Sequence, residues 1–209
     1  MLIDLYTWST PNGRKVSIML EETGLPYKVI PIDITRGDQH GEEFSRIAPN
    51  HKIPAIVDHQ EGISMMESGA ILMYLARKTG QLMSDAGTGY WEQLQWLMFQ
   101  MGQAGPMLGQ THHFVKFNPG RSPYAEERYR NETHRVYQTL ETRLTDREYL
   151  AGDYSVADIA TWPWISRYEF QQMDLHEYPN LLRWYLQIAE RPAVQKGYGV
   201  PEPLPVPMP

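Results

Sequence analysis

Two short stretches carry residue types able to act on a small ligand. In the first, Asn50 to Leu75, Ile53-Pro54-Ala55-Ile56-Val57 is followed after a polar turn by Glu67-Ser68 and an apolar helical pattern. Ala55-Ile56-Val57 reads as a short buried strand, and Pro54 has no N–H, so the corner leaves the Ile53 backbone free to pair with an extended ligand. Ser68 stands where an N-cap is expected, ahead of Ile71, Leu72, Tyr74 and Leu75 at helical spacing. Such a helix start offers amide donors and the positive dipole end to a carboxylate. Glu67 beside it is placed to hold an ammonium group. A carboxylate, an ammonium and a peptide edge accepted together fit an amino-acid-like ligand, although a strand, a turn and a capped helix with no ligand explain the stretch too. The second stretch is the strand-to-helix turn Tyr6-Thr7-Trp8-Ser9-Thr10-Pro11-Asn12-Gly13. Pro11 opening a helix leaves N–H groups and the Thr10 and Asn12 side chains at a helix start, and Thr10 also makes sense as a plain N-cap.

Composition limits what these residues can do. The chain has 209 residues, a formal charge of −6 and no cysteine. Without cysteine there is no disulfide scaffold, no thiolate zinc site and no protein thiol nucleophile, so any thiol chemistry must use a thiol brought by a ligand. The acidic balance, with no clustered basic face, argues against nucleic-acid binding. No run of about 18 apolar residues occurs, and the first residues enter a strand-like Leu2–Tyr6 without a charged-then-apolar leader. Neither a membrane span nor a signal peptide is expected, and the default location is the cytoplasm. His112-His113 lacks a third ligand at metal spacing, and no metal is implied.

The elements that must position these residues change character near residue 80. The first part reads as strand (2–6), helix (15–23), strand (27–33), short helix (42–47), strand (55–58), strand (63–66) and helix (69–79), a βαβ unit followed by a hairpin and a helix. The remainder reads as helices over 90–101, 124–144, 156–173 and 180–190. The resulting expectation is an α+β N-terminal domain over 1–80, a linker over 81–89, an all-α domain over 90–200 and an extended Pro-rich tail over 201–209. Ser155-Val156-Ala157-Asp158 forms a capping-box pattern, with Tyr154 and Ile159 as a hydrophobic staple over a helix apolar nearly all round.

This order of motifs resembles the cytosolic glutathione transferase superfamily across essentially the whole chain. More narrowly, Thr10-Pro11-Asn12-Gly13, Asn50 to Asp58, Glu67-Ser68-Gly69-Ala70, Gly105 to Gln110 and His112-His113-Phe114 are similar to the bacterial Nu class. That class is related to the C-terminal domain of the yeast nitrogen-regulating prion protein. The resemblance implies a thioredoxin-like N-terminal domain followed by an all-helical domain, a cis Pro54 and a symmetric homodimer. It also implies an enzyme, a glutathione-dependent disulfide-bond oxidoreductase acting on a small-molecule disulfide with glutathione, reduced or disulfide, as cosubstrate. Conjugation of electrophiles and a non-catalytic glutathione-binding regulatory role are the alternatives.

Carried over by position, the resemblance puts the γ-glutamyl end of glutathione at Glu67 and Ser68 and its cysteinyl backbone on Ile53. The glycine carboxylate falls to Lys52 and Gln39, though Lys52 is also explained as a solvated lysine before a strand. Thr10 and Asn12 flank the sulfur as the catalytic pair, ahead of Tyr6 and Ser9, which are the activating residue types of other classes. Arg128 matches a helical-domain arginine that reaches the ligand, with Arg130 and Arg135 as close competitors. Trp8, Phe114, Trp164 and Tyr168 are candidates to line the acceptor pocket, or else core.

Overall fold

The computed structural model describes residues 2–209. The chain divides into two compact units, residues 1–83 with 189–206, and residues 84–188 with 207–209. Residues 189–200, expected in the helical domain, belong to the first unit. The reason is helix α9 (Pro192–Tyr198), which packs on α1 (Pro11–Thr23). There Gly197 sits so close that an added Cβ would lie 2.7 Å from the Ile18 backbone. Ser17 Oγ donates to the Gly197 carbonyl at 2.6 Å, and Arg191 donates to both Glu22 carboxylate oxygens at 2.7 and 2.8 Å. No local sequence pattern announces such a return. The Pro-rich tail has no regular structure, but Ser9 Oγ donates to Glu202 at 3.0 Å.

The first unit is built on a four-stranded sheet in the order β2-β1-β3-β4, with β1 (Ile3–Thr7), β2 (Tyr27–Pro31), β3 (Ala55–Asp58) and β4 (Ile63–Met66). β1 is parallel to β2 and antiparallel to β3, and β3 is antiparallel to β4. Tyr6 and Ala55 sit opposite one another on one face, with Ile32, Phe44 and Ala48 in the same buried cluster. Phe44 comes from α2 (Glu42–Ile47). Because side chains alternate along a strand, Ile3, Leu5 and Ile56 take the other face, buried under α1 and α3 (Ser68–Thr79). Asp58 fastens the hairpin to α3, accepting from Tyr74 Oη at 2.6 Å and Lys78 Nζ at 2.9 Å.

In the second unit, α4 (Gly87–Phe99) runs through a π-helical stretch, Gln100–Ala104, into α5 (Gly105–Thr111) and a second π stretch, His112–Phe117. The helix expected to end at 101 continues through Gly102, Gly105 and Pro106. The structure continues because Pro106 falls in the first turn of α5, where its missing N–H is tolerated, and the wider π turns absorb the break. Helices α6 (Pro123–Arg143), α7 (Val156–Ile165) and α8 (Pro179–Ala189) follow. The helix expected over 156–173 stops at 165 and continues as turns.

α7 is fully buried and starts on the capping box that the sequence signals. Asp158 accepts from Ser155 N at 3.0 Å, Ser155 Oγ at 3.2 Å, Leu150 N at 3.0 Å and Trp184 Nε1 at 2.9 Å. One carboxylate therefore ties the loop before α7, the α7 start and α8 together. Burial raises its pKa to about 6, against the donors that favour the anion. Asp158→Ala strands the Leu150, Ser155 and Trp184 N–H donors, and we predict a loss of at least about 3 kcal/mol in urea unfolding. Because the folded pKa lies above the free value, this carboxyl's contribution is complete below about pH 4 and is lost as the pH rises through 6. Asp158→Asn, which does not titrate, should accordingly gain on wild type by roughly 3 kcal/mol between about pH 4 and pH 7.

Candidate functional site

One row of the sheet decides where the candidate residues go. Ile30, Tyr6, Ala55 and Met66 are register partners across β2, β1, β3 and β4. β3 is antiparallel to the other three, so its N-terminal end lies beside the C-terminal ends of β1, β2 and β4. Four connections therefore leave at this edge: the turn into α1 with Thr10 and Asn12, the loop with Gln39, the corner Lys52-Ile53-Pro54, and the step Glu67-Ser68 into α3. Ile32 N donates to the Thr7 carbonyl at 2.9 Å, carrying the pairing of β1 and β2 into these loops.

At the first connection, Thr10 is the N-cap of α1 (φ −116°, ψ 160°), and its Oγ1 accepts from Gly13 N at 3.2 Å. The capping reading is thus correct, and it is compatible with chemistry. Accepting uses a lone pair and leaves the hydroxyl proton available to an incoming anion. Asn12 follows in the first turn. Gly13 is required by space: a Cβ there would lie 2.3 Å from the Trp8 carbonyl oxygen and 2.5 Å from Thr7 Oγ1. Tyr6 is buried against Phe44, and burial raises its phenol above the usual value, so it stays neutral. Ser9 turns to Glu202.

At the third connection the Ile53-Pro54 peptide is cis. The β3–β4 ladder begins at Ala55↔Met66, so the Ile53 backbone lies outside it. Lys52 is exposed beside it. The second connection is tied to this corner by His51, whose Nδ1 lies 3.1 Å from the Gln39 carbonyl and 3.2 Å from Ser45 Oγ. The Gln39 carbonyl only accepts, so Nδ1 carries the proton. The His40 and His51 rings lie 5.1 Å apart. Gln39 Oε1 is buried without a hydrogen-bond partner among the described residues.

At the fourth connection the sequence reading needs a correction. Ser68 is not the N-cap but the first residue of α3. Glu67 holds the cap position at φ +70°, ψ 107°, a strained conformation for a residue with a Cβ. The first helical bond runs from Ile71 N to the Glu67 carbonyl at 2.9 Å, so the amides ahead of it face out of the helix start. The Ser68 hydroxyl, which would have capped the helix, instead receives Lys15 Nζ at 3.3 Å. Lys15 is 1% exposed. Burial pushes its ammonium down to about 7, against the charge of Glu67. Sequence reasoning overlooked Lys15, and its signal is a lysine three and four residues ahead of the buried Ile18 and Met19, on the apolar face of α1.

The first unit thus brings together Thr10, Asn12, Gln39, Lys52, Ile53, Glu67 and Ser68. Arg128 belongs to the second unit, exposed on α6, where its charge helps lower the pKa of Glu132. Its competitors are engaged, Arg130 with Gln172 and Arg135 with Glu132. Trp164 and Tyr168 are buried. His112 stacks on Trp164 and is pushed down to about 4 by burial, so it is neutral at pH 7.

The arrangement suits a short zwitterionic peptide with a central reactive group. Residues 10–78 match the family profile described as glutathione S-transferase, N-terminal domain, and residues 106–192 match glutathione S-transferase, C-terminal domain. Over 198 residues the chain is 49% identical to the disulfide-bond oxidoreductase YfcG of Escherichia coli strain K12, an alignment covering 92% of each protein. A glutathione transferase from Burkholderia graminis, solved with two glutathione molecules per subunit, is 44% identical with a TM-score of 0.90, over 96% of this chain and 88% of that one. Another from Pseudomonas putida, solved with one glutathione disulfide per subunit, is 41% identical with a TM-score of 0.90, over 96% and 92%. Gly13→Ala should cost about 1–3 kcal/mol through the clash with the Trp8 carbonyl. Gly102→Ala, which meets nothing within 4 Å, should not destabilise, and urea midpoints of the two variants check the contrast.

Proposed function

We propose that this chain, which belongs to the glutathione transferase family, is a glutathione-dependent disulfide-bond oxidoreductase of the Nu class. The observation that carries this reading is the sheet row that sets a helix start, a free strand corner and the Thr10–Asn12 turn side by side. In this reading residues 1–80 form the glutathione-binding domain. The γ-glutamyl carboxylate takes the α3 amides and Ser68, its ammonium takes Glu67, the cysteinyl unit pairs with the Ile53 backbone, and the glycine carboxylate meets Lys52 and Gln39. Arg128 adds a cation from the helical unit of its own or a partner chain. The match to disulfide-bond oxidoreductase YfcG, and glutathione or its disulfide bound in similar structures, support both activity and cosubstrate.

The chemistry follows from what the turn offers the sulfur. A thiolate attacks a disulfide, whereas a neutral thiol does so poorly. The Thr10 hydroxyl and Asn12 amide donate to the glutathione sulfur and favour its ionised form. That thiolate attacks one sulfur of the substrate, forming a glutathione mixed disulfide and expelling the other sulfur as a thiolate. A second glutathione thiolate attacks the mixed disulfide, releasing glutathione disulfide and the second product thiol. Two glutathiones are oxidised and one disulfide is reduced, with no sulfur from a chain that has no cysteine.

A cytoplasmic location and a symmetric homodimer belong to the same reading. No helix among the described residues is long and apolar enough to cross a membrane. A second copy is the expected cover for the exposed Trp91 and Met98 on α4.

The test is the initial rate of 2-hydroxyethyl disulfide reduction by glutathione, coupled to a reductase. A clear rate is expected, with kcat/KM lowered at least about tenfold in Asn12→Ala and Thr10→Val and largely kept in Thr10→Ser. No rate above background, with glutathione still raising Tm, would favour electrophile conjugation or a non-catalytic glutathione-binding role.

A further inference from the structure

We infer that Lys15 is a proton-linked positioning residue for the carboxylate end of the site, holding Ser68 and Glu67 and taking up a proton when an α-amino-acid carboxylate arrives at the start of α3. The inference rests on the glutathione reading above and adds to it a buried cation. Lys15 Nζ reaches across from α1 to Ser68 Oγ at 3.3 Å, so the α3 start is braced from behind by the helix whose first turn carries Thr10 and Asn12. Burying a lysine is costly unless an anion meets it, and a protein keeps such a group where a second anion is to come.

Lys15 shares α1 and the elements packed on it with several charged groups. From α3, Glu67 acts on it. Its neighbour Arg14 faces α9, with Nε donating to the Tyr198 carbonyl at 3.2 Å and its guanidinium 3.6 Å from the centre of the Tyr198 ring. On the strands, Asp4 is taken by His59, and Asp58 by Lys78 and Tyr74. Glu67 favours the ammonium against burial, which lowers the Lys15 pKa to about 7. A ligand ammonium engages Glu67, and the ligand carboxylate brings a new negative charge to the α3 amides beside Ser68. Because that carboxylate arrives beside the hydroxyl that Lys15 Nζ contacts at 3.3 Å, the bound site favours charged Lys15 more strongly than the ligand-free one.

The linkage has a definite sign. A group whose pKa rises on binding takes up a proton, so affinity is greatest below the free value near 7 and falls as the pH rises above it, by at most about tenfold per unit. S-methylglutathione, whose sulfur cannot ionise, isolates this effect from the thiol. We would titrate it calorimetrically into the full chain at pH 6.5, 7.5 and 8.5, in buffers of different ionisation enthalpy.

Wild type should take up a fraction of a proton that grows between pH 6.5 and 8.5, with Kd weakening several-fold. Lys15→Arg, charged throughout, should bind with an affinity that changes less than about twofold over that range. Lys15→Met should bind at least about tenfold more weakly at pH 6.5 and lose the extra proton. Titration of the ligand ammonium is common to all three chains and cancels in the comparison. Equal proton uptake by wild type and Lys15→Arg would overturn the proposal even if Lys15→Met failed to fold. Binding by wild type with no proton uptake would overturn it and leave the glutathione reading standing, whereas no binding at millimolar ligand would overturn both.

Discussion

The direction of β3 is the constraint on which the first unit depends. Had β3 been parallel to β1, its N-terminal end would lie at the opposite edge from the α1 turn, and Ile53 would stand a strand length away from Thr10. Because it runs antiparallel, with Tyr6 opposite Ala55 and Ala55 opposite Met66, one row of backbone pairs sets the spacing of four loops. Register in such a sheet is held by burial: a slip of one residue would turn Tyr6 and Ala55 away from Phe44 and expose Leu5 and Ile56 to the wrong face. The packing that makes the sheet stable therefore also fixes the site.

What this edge presents is mostly backbone. Amides at the α3 start, the unpaired corner at Ile53 and the turn into α1 provide donors and acceptors that need no particular side chain, and a few side chains tune them. Thr10 accepts one bond to cap its helix and keeps a proton to give. Glu67 is held at positive φ, a strain that the surrounding packing maintains. Lys15 and Gln39 are polar groups withdrawn from water beside that edge. With no cysteine in the chain, disulfide exchange here must use sulfur that glutathione brings. The redox couple belongs to glutathione.

Much of this was legible in the sequence because it is written locally. Alternation and turn residues gave the strands, Thr10-Pro11 gave a helix start, and Ser155 to Asp158 gave a capping box that the structure realises with Trp184 and Leu150 added. What was not legible depends on distant partners. The return of α9 to α1 follows from Gly197 meeting Ile18, a contact between residues almost a chain apart. Ser68 looked like a cap because serine caps helices, but Lys15, 53 positions earlier, takes its hydroxyl. The helix through Gly102, Gly105 and Pro106 violates local propensity and is held by π turns and tertiary packing. The binding of Gln39 to His51 belongs to the same class, since nothing in an exposed loop sequence names its anchor.

In the proposed reading the sheet edge, with its α3 start and its α1 turn, is where a tripeptide thiol is read from end to end. A crystal structure of the chain grown with glutathione disulfide tests it most directly. The γ-glutamyl carboxylate should lie on the α3 amides with Ser68, with paired backbone bonds at Ile53 and a sulfur within hydrogen-bond reach of Thr10 and Asn12. Glutathione bound elsewhere, or bound here with its sulfur turned away from the α1 turn, would contradict it.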